Sequence, residues 1–283
     1  MIIYKLGSIC NGFLKILRKF LQKRKKAVVF LYVPFFLRKT IVQKIKSCYN
    51  RKVLCVSGGA GLRENAAEQM KENYQKILEA TIARHEAEGE VPAVLLHSCC
   101  GPCSSAVLEY LSRHFRITVF YYNPNIYPEE EYRMRAREQE RFIGEFPAEH
   151  PVSFVEGVYD TERFYEMAEG LEEEPERGAR CVKCYRLRLE ETAKLAKERK
   201  FDYFTTTLSI SPQKDSQVLN TIGKAVAREY GVDYLFSDFK KKNGYLRSTQ
   251  LAAEYGMYRQ DYCGCEFSYR DRMRQKARAQ QSV

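Results

Sequence analysis

The chain has 283 residues, 45% of them hydrophobic and 29% charged, with 16 Phe and 20 Tyr. That is enough for one large α/β domain or two small ones, and the charged fraction suits a soluble protein. The formal net charge of +11 does not mark the body as a nucleic-acid binder. Residues 1–63 hold fifteen Lys and Arg and no Asp or Glu, which leaves 32 basic against 36 acidic side chains in the remainder. Any nucleic-acid contact by the body must come from local patches.

Residues 1–63 read as a basic N-terminal extension outside the fold, and residues 64–283 as a single α/β catalytic domain. The extension holds the basic run Gln22-Lys-Arg-Lys-Lys26 and an apolar run of eleven residues interrupted by Pro34. A helical span of a bilayer needs about 20. The basic region is long for a signal peptide, and no A-x-A-like cleavage site follows closely. A membrane-surface helix is the competing reading. Met70, at the head of an amphipathic helix, would be a natural start. The Gly-rich stretch Val53–Gly61 resembles a phosphate loop, but Gly61-Leu62 stands where an ATP-pyrophosphatase loop needs Asp-Ser. ATP binding is not expected there.

From residue 65 the pattern alternates. Helices are expected over 65–89, 104–114, 129–146, 162–169, 181–200, 215–230, 245–256 and 267–280. Short β-branched or aromatic runs over 93–97, 116–122, 152–155, 202–207 and 234–236 are expected strands. An acidic loop fills 170–178. Strands separated by helices imply a parallel sheet of about five strands covered on both faces, Rossmann-like, with a helical C-terminal part. Ligands of such sheets bind beyond the carboxyl ends of the strands. Three informative segments fall there: His97-Ser-Cys-Cys, Tyr122-Asn-Pro-Asn-Ile and Thr205-Thr-Thr-Leu-Ser-Ile-Ser-Pro.

Seven of the ten cysteines sit in three short segments. Cys181-Val-Lys-Cys184 has a spacing shared by zinc sites and redox couples. Cys99 and Cys100 are adjacent, so their side chains diverge and both on one metal ion is awkward. They can ligate different irons of a cluster. With Cys181 and Cys184 they make four thiolates, the usual set for a [4Fe–4S] centre. A four-cysteine zinc site is the alternative, disfavoured because one C-x-x-C knuckle is replaced by Cys-Cys on a loop after a strand. Cys263-Gly-Cys265 is too close for easy disulfide geometry, so a bridge there would be strained and reducible. A relay dithiol is the preferred reading and extra metal ligands the competing one. Cys103 divides evenly between ligand and plain burial. Cys10, Cys48 and Cys55 lie in the extension and receive no role.

Five motifs occur in order: Leu95-Leu-His-Ser-Cys-Cys-Gly-Pro-Cys103, Asn123-Pro-Asn-Ile126, Arg180-Cys-Val-Lys-Cys-Tyr-Arg-Leu-Arg-Leu-Glu190, Phe204-Thr-Thr-Thr-Leu-Ser-Ile-Ser-Pro212 and Tyr258-Arg-Gln-Asp-Tyr-Cys-Gly-Cys265. Together they resemble the QueH-type epoxyqueuosine reductases, from about Met70 to about Asp271. The likeness implies an adenine-nucleotide-hydrolase-like architecture and the last step of queuosine biosynthesis: loss of the epoxide oxygen of epoxyqueuosine at the wobble position of a tRNA, with two electrons and two protons consumed. It implies a [4Fe–4S] cluster on Cys99, Cys100, Cys181 and Cys184. It also implies a redox-active dithiol or disulfide at Cys263 and Cys265, and a second iron ion with Asp160 as a candidate oxygen ligand. Further implied are a tRNA substrate carrying epoxyqueuosine, an external electron donor (a reductase or ferredoxin-like protein), a cytoplasmic location and no membrane partner.

Asp160, Asp215, Lys214 and Tyr262 are candidate proton donors. Asn123–Tyr127 and Thr205–Ser211 are candidate base-reading segments. Arg133, Arg135, Arg137, Arg141, Arg186, Arg188, Lys240, Lys241, Lys242 and Arg247 are candidate phosphate contacts. Two other classes stay open from the residues alone. One is a tRNA thiolation or sulfur-transfer enzyme, which would need an ATP loop where Ser98-Cys-Cys stands. The other is a zinc-dependent RNA-binding protein.

Overall fold

The computed structural model describes residues 71–281. The expectations for residues 1–63 and for the opening of the first helix before residue 71 lie outside them. The first described helix, α1 (Tyr74–Glu88), begins where the Asn73 side chain accepts a hydrogen bond from the Lys76 amide. It ends at Gly89, whose φ of 68° is the left-handed conformation that closes helices. There follow β1 (Ala93–His97), α2 (Gly101–Leu111), β2 (Arg116–Tyr121), α3 (Glu129–Glu145), β3 (Val152–Glu156), α4 (Thr161–Ala168), α5 (Ala179–Glu198) and β4 (Tyr203–Thr206). A 3₁₀ turn over Thr207–Ile210 leads to α6 (Ser216–Tyr230), β5 (Asp233–Tyr234), α7 (Gly244–Glu254) and α8 (Glu266–Gln281).

All five strands are parallel, in the order β3-β2-β1-β4-β5. β1 is central, with Leu96 in register with Val119 on one side and with Thr205 on the other. Side chains alternate between two cores, as a period of two requires. Val94, Leu96, Ile117 and Val119 enter the core that contains residues of α1, α2 and α7. Leu95, Phe120 and Phe204 enter the core that contains residues of α5 and α6. Burial on both faces explains why β1 and β2 read as largely apolar runs, while β4 ends in the buried polar pair Thr205 and Thr206.

The chain winds outward from β1 to β2 and β3, then returns to place β4 on the other side of β1. The carboxyl ends of β1 and β4 therefore flank the point where strand order reverses, the crevice that binds ligands in such sheets. One boundary there differs from the sequence expectation. α2 begins at Gly101 rather than Ser104, because Pro102 is favoured in a first turn and Cys100, extended at φ −173°, serves as the cap position. Cys103 consequently sits in the first turn of a helix, not in a loop. Among the described residues no helix is long and apolar enough to cross a membrane.

Candidate thiolate centre

The site is assembled at the switch point between β1 and β4. His97 ends β1 and ties the neighbouring strands together. Its Nε2 lies 3.1 Å from the Tyr122 carbonyl and its Nδ1 2.9 Å from the Thr206 hydroxyl. Burial, and then the Arg188 charge, push its pKa down to about 3. The ring is neutral at physiological pH, so Nε2–H donates to the carbonyl and Nδ1 accepts from Thr206. Gln139 of α3 braces the next residues. Its Oε1 accepts from the Ser98 hydroxyl at 2.7 Å and from the Ser104 hydroxyl at 2.8 Å. Asn123 donates from Nδ2 to the Ser98 carbonyl at 2.8 Å.

This frame places Cys99, Cys100 and Cys103 with all three sulfurs within 4.8 Å of one another. Hydrogen bonds from Cys100 and Cys103 hold the Cys99 thiol well below the ordinary thiol range, with Lys214 and Arg188 adding to the effect. Gln260 Nε2 donates to Cys100 Sγ at 3.3 Å. Sequence reading left Cys103 undecided; the helix start one turn earlier brings it into the group.

Cys181 and Cys184 lie one turn apart at the start of α5 and are both buried. The backbone N–H of Arg177 donates to Cys181 Sγ at 3.3 Å. Burial pushes the Cys184 thiol up to about 12. The trio and Cys181 border the same apolar core, whereas Cys184 packs with Cys265. All seven described cysteines are free thiols. Cys263 and Cys265 are separated by Gly264 at φ 128°, a backbone conformation that favours glycine. The Tyr127 amide donates to the Gly264 carbonyl at 2.8 Å.

A cavity of about 440 Å³ opens over these groups, lined by Cys99, Cys103 and Cys263 together with Arg188, Lys214 and Tyr262. Three cations around the thiols are buried: Arg180 at 3% exposure, Arg188 at 2% and Lys214 at 8%. Among the described residues none of the three has a carboxylate within ion-pair distance. Arg180 donates to the Leu171 and Glu172 carbonyls and lies over the Phe267 ring. Arg188 donates to the Cys184 carbonyl, and its Nη2 is buried with no hydrogen-bond partner. Lys214 Nζ donates to Cys263 Sγ at 3.5 Å. Buried positive charge without a carboxylate is costly unless an anion completes the site. A thiolate-held iron–sulfur cluster carries net negative charge, so the Cys99–Cys100–Cys103 group and the cations fit one; among the described residues no group within 4.8 Å takes in Cys181 or Cys184.

Other expected residues take different places. Asp160 caps α4, accepting from the Arg163 amide at 3.3 Å, and Asp215 caps α6, accepting from Gln217 N at 2.8 Å. Asn123 and Thr205–Thr207 are buried framework rather than open readers of a base. Arg135 and Arg188 are buried, so neither is a surface contact for phosphate. Arg135 pairs with Glu131, while Arg133, Arg141, Arg186, Lys240, Lys242 and Arg247 are engaged with acidic neighbours. Gln139 and Tyr245 were not singled out from the sequence, where each is an isolated residue with no spacing signal; Arg259 and Gln260 lie in the Tyr258–Cys265 motif but received no role there.

A parallel α/β sheet carrying clustered thiols and uncompensated buried cations at its switch point defines a thiolate-dependent metal or redox protein. A family model described as "Epoxyqueuosine reductase QueH" matches residues 94–271. The chain is 44% identical over 205 residues to the epoxyqueuosine reductase QueH of Staphylococcus epidermidis, covering 71% of this chain and 86% of the relative. It is 44% identical over 206 residues to that of Streptococcus pyogenes, covering 72% and 81%. With that of Thermotoga maritima it shares 34% identity over 190 residues, covering 65% and 94%. The chain belongs to the epoxyqueuosine reductase QueH family, a family of oxidoreductases. Membership sets aside the sulfur-transfer and RNA-binding alternatives.

Proposed function

We propose that this chain reduces the epoxide of epoxyqueuosine in tRNA to give queuosine and water. The observation that carries the reading is the convergence of the thiols Cys99, Cys103 and Cys263 with the buried, carboxylate-free cations Arg188 and Lys214 on one cavity at the switch point. Cys99, Cys100, Cys181 and Cys184 would hold a [4Fe–4S] cluster, with Cys103 within reach as a further ligand and Cys263–Cys265 as a separate dithiol. When bound, such a cluster supplies electrons one at a time. An oxygen ligand role for Asp160 toward a second iron stays part of the proposal; its helix cap would have to be shared.

The chain's own residues have separable tasks. A volume of about 440 Å³ suits a single nucleoside rather than a stretch of RNA. Leu208 and Ile210 supply apolar wall, and Arg188 and Lys214 supply positive charge. Loss of the epoxide oxygen as water takes two electrons and two protons. Of the four proton-donor candidates, Lys214 is the one that lines the cavity as a cation with no carboxylate partner among the described residues. Asp160 and Asp215 cap helices, and the Tyr262 hydroxyl donates to the Tyr127 carbonyl at 2.6 Å. Burial works against the Lys214 charge, but Cys263, Tyr185 and Cys99 outweigh it and raise its pKa, so the ammonium keeps its proton across the neutral range.

The test is anaerobic reconstitution with iron and sulfide, then nucleoside analysis of tRNA carrying epoxyqueuosine after incubation with a strong reductant. Queuosine is the expected product. A protein that binds iron and forms none would end the proposal.

A further inference from the structure

The cavity admits one nucleoside, so an RNA chain that delivers it must lay its neighbouring nucleotides on the rim. Among the side chains that line the cavity, Tyr245 is an exposed aromatic and Arg259 an exposed cation. Tyr245, in the first turn of α7, is 42% exposed. The Arg259 guanidinium lies 5.9 Å from the centre of its ring, and Nη2 is 3.5 Å from the Tyr245 hydroxyl. Both residues line the cavity that holds Cys99, Cys103 and Cys263. Among the described residues no carboxylate pairs with Arg259. By contrast, Asp261 on the same wall is neutralised by Arg272 and Lys276.

We infer that Tyr245 and Arg259 form a platform for the tRNA nucleotide next to the one inside the cavity, the base stacking on the Tyr245 ring and the phosphate engaging Arg259. This rests on the function proposed above. Unpaired bases of RNA loops are held by aromatic and guanidinium planes, and such stacking tolerates any base. Glu176, another cavity-lining side chain, is exposed and has no ion pair among the described residues. It disfavours phosphate beside it, so the backbone passes on the Arg259 side.

The experiment uses reconstituted holoenzyme and an anticodon stem–loop carrying epoxyqueuosine. Binding is followed by fluorescence anisotropy at several salt concentrations, and turnover separately. Tyr245→Ala is expected to raise Kd and KM about 5- to 150-fold, the range that loss of one stacked base gives. Tyr245→Phe and Tyr245→Trp retain the ring and restore binding. Arg259→Gln weakens binding and reduces the slope of log Kd against log salt by about 0.7, one single-strand phosphate. Glu176→Gln tightens binding. Folded Tyr245→Ala and Arg259→Gln proteins that bind like the wild type, with wild-type turnover intact, overturn the platform alone. Wild-type protein that binds the RNA but forms no queuosine overturns the proposed function instead, and the binding comparison still decides the platform.

Discussion

The Lys214 ammonium lies 3.5 Å from the Cys263 sulfur, and no carboxylate pairs with it among the described residues. A buried lysine in that position has a thiol as its partner and lines the cavity. Lys214→Met removes the proton and keeps the apolar stem. Replacing a buried charge by a similar apolar side chain is often neutral for stability. The expected result is a fall in single-turnover rate of about 10²- to 10⁴-fold, the span of general-acid contributions, with the melting temperature unchanged or higher. A variant of wild-type rate would remove Lys214 from the reaction.

Cys181→Ala is expected to abolish iron content, visible absorbance and turnover together. Cys103→Ala tests the trio seen in the fold. With its sulfur within 4.8 Å of both Cys99 and Cys100, its loss should lower iron per chain after reconstitution. Wild-type loading in that variant would return Cys103 to simple packing.

Arg188 places a buried positive charge beside the thiols, with Nη2 unpaired. A nearby cation stabilises the more reduced, more negative state of a cluster. Arg188→Met should therefore lower the cluster's reduction potential, by on the order of 100 mV for a charge several ångströms away at an intermediate dielectric. Spectroelectrochemical titration of the reconstituted protein gives the sign directly.

Arg247 joins α7 to α2 through Glu109, with contacts of 2.9 Å from Nε and 2.7 Å from Nη2. Hydrogen bonding to Arg247 holds the Glu109 carboxyl below its ordinary value. The pair therefore stabilises the fold above the unfolded carboxyl value near pH 4.5 and loses that contribution as pH falls through the lower folded value. Glu109→Gln should cost up to about 1 kcal/mol near neutral pH. Urea midpoints of the two proteins should converge in acid. Curves that stay parallel to low pH would show that the bridge contributes nothing.

A Cβ on Gly244 would fall on the Phe239 carbonyl oxygen, a backbone atom that cannot rotate away. Gly244→Ala should cost about 1–3 kcal/mol from overpacking. Because Tyr245 follows directly, RNA binding should weaken with it. Chemical denaturation and the anisotropy assay check both halves.

The strands and the helices between them were legible because burial on both sheet faces leaves apolar runs and burial on one helix face leaves a 3.6-residue period. The boundary at α2 was misplaced by three residues, since Cys-Gly-Pro-Cys carries no apolar period to announce a helix. With the helix start set there, Cys103 stood evenly between ligand and plain burial. Arg135 and Arg188 read as solvated phosphate contacts because nothing local distinguishes a buried arginine from an exposed one on a charged helix.

The sequence by itself determined the alternating α/β order, the confinement of excess positive charge to residues 1–63, and the three cysteine segments with their family likeness. These are properties of spacing and composition along the chain. Only the tertiary structure decided that Cys103 joins Cys99 and Cys100, that Lys214 faces Cys263 across 49 positions, and that Arg180, Arg188 and Lys214 are buried without carboxylates. Those relations depend on where β1 and β4 come to lie side by side. Contacts between distant segments are set by packing of the whole sheet and leave no periodic trace in any one segment.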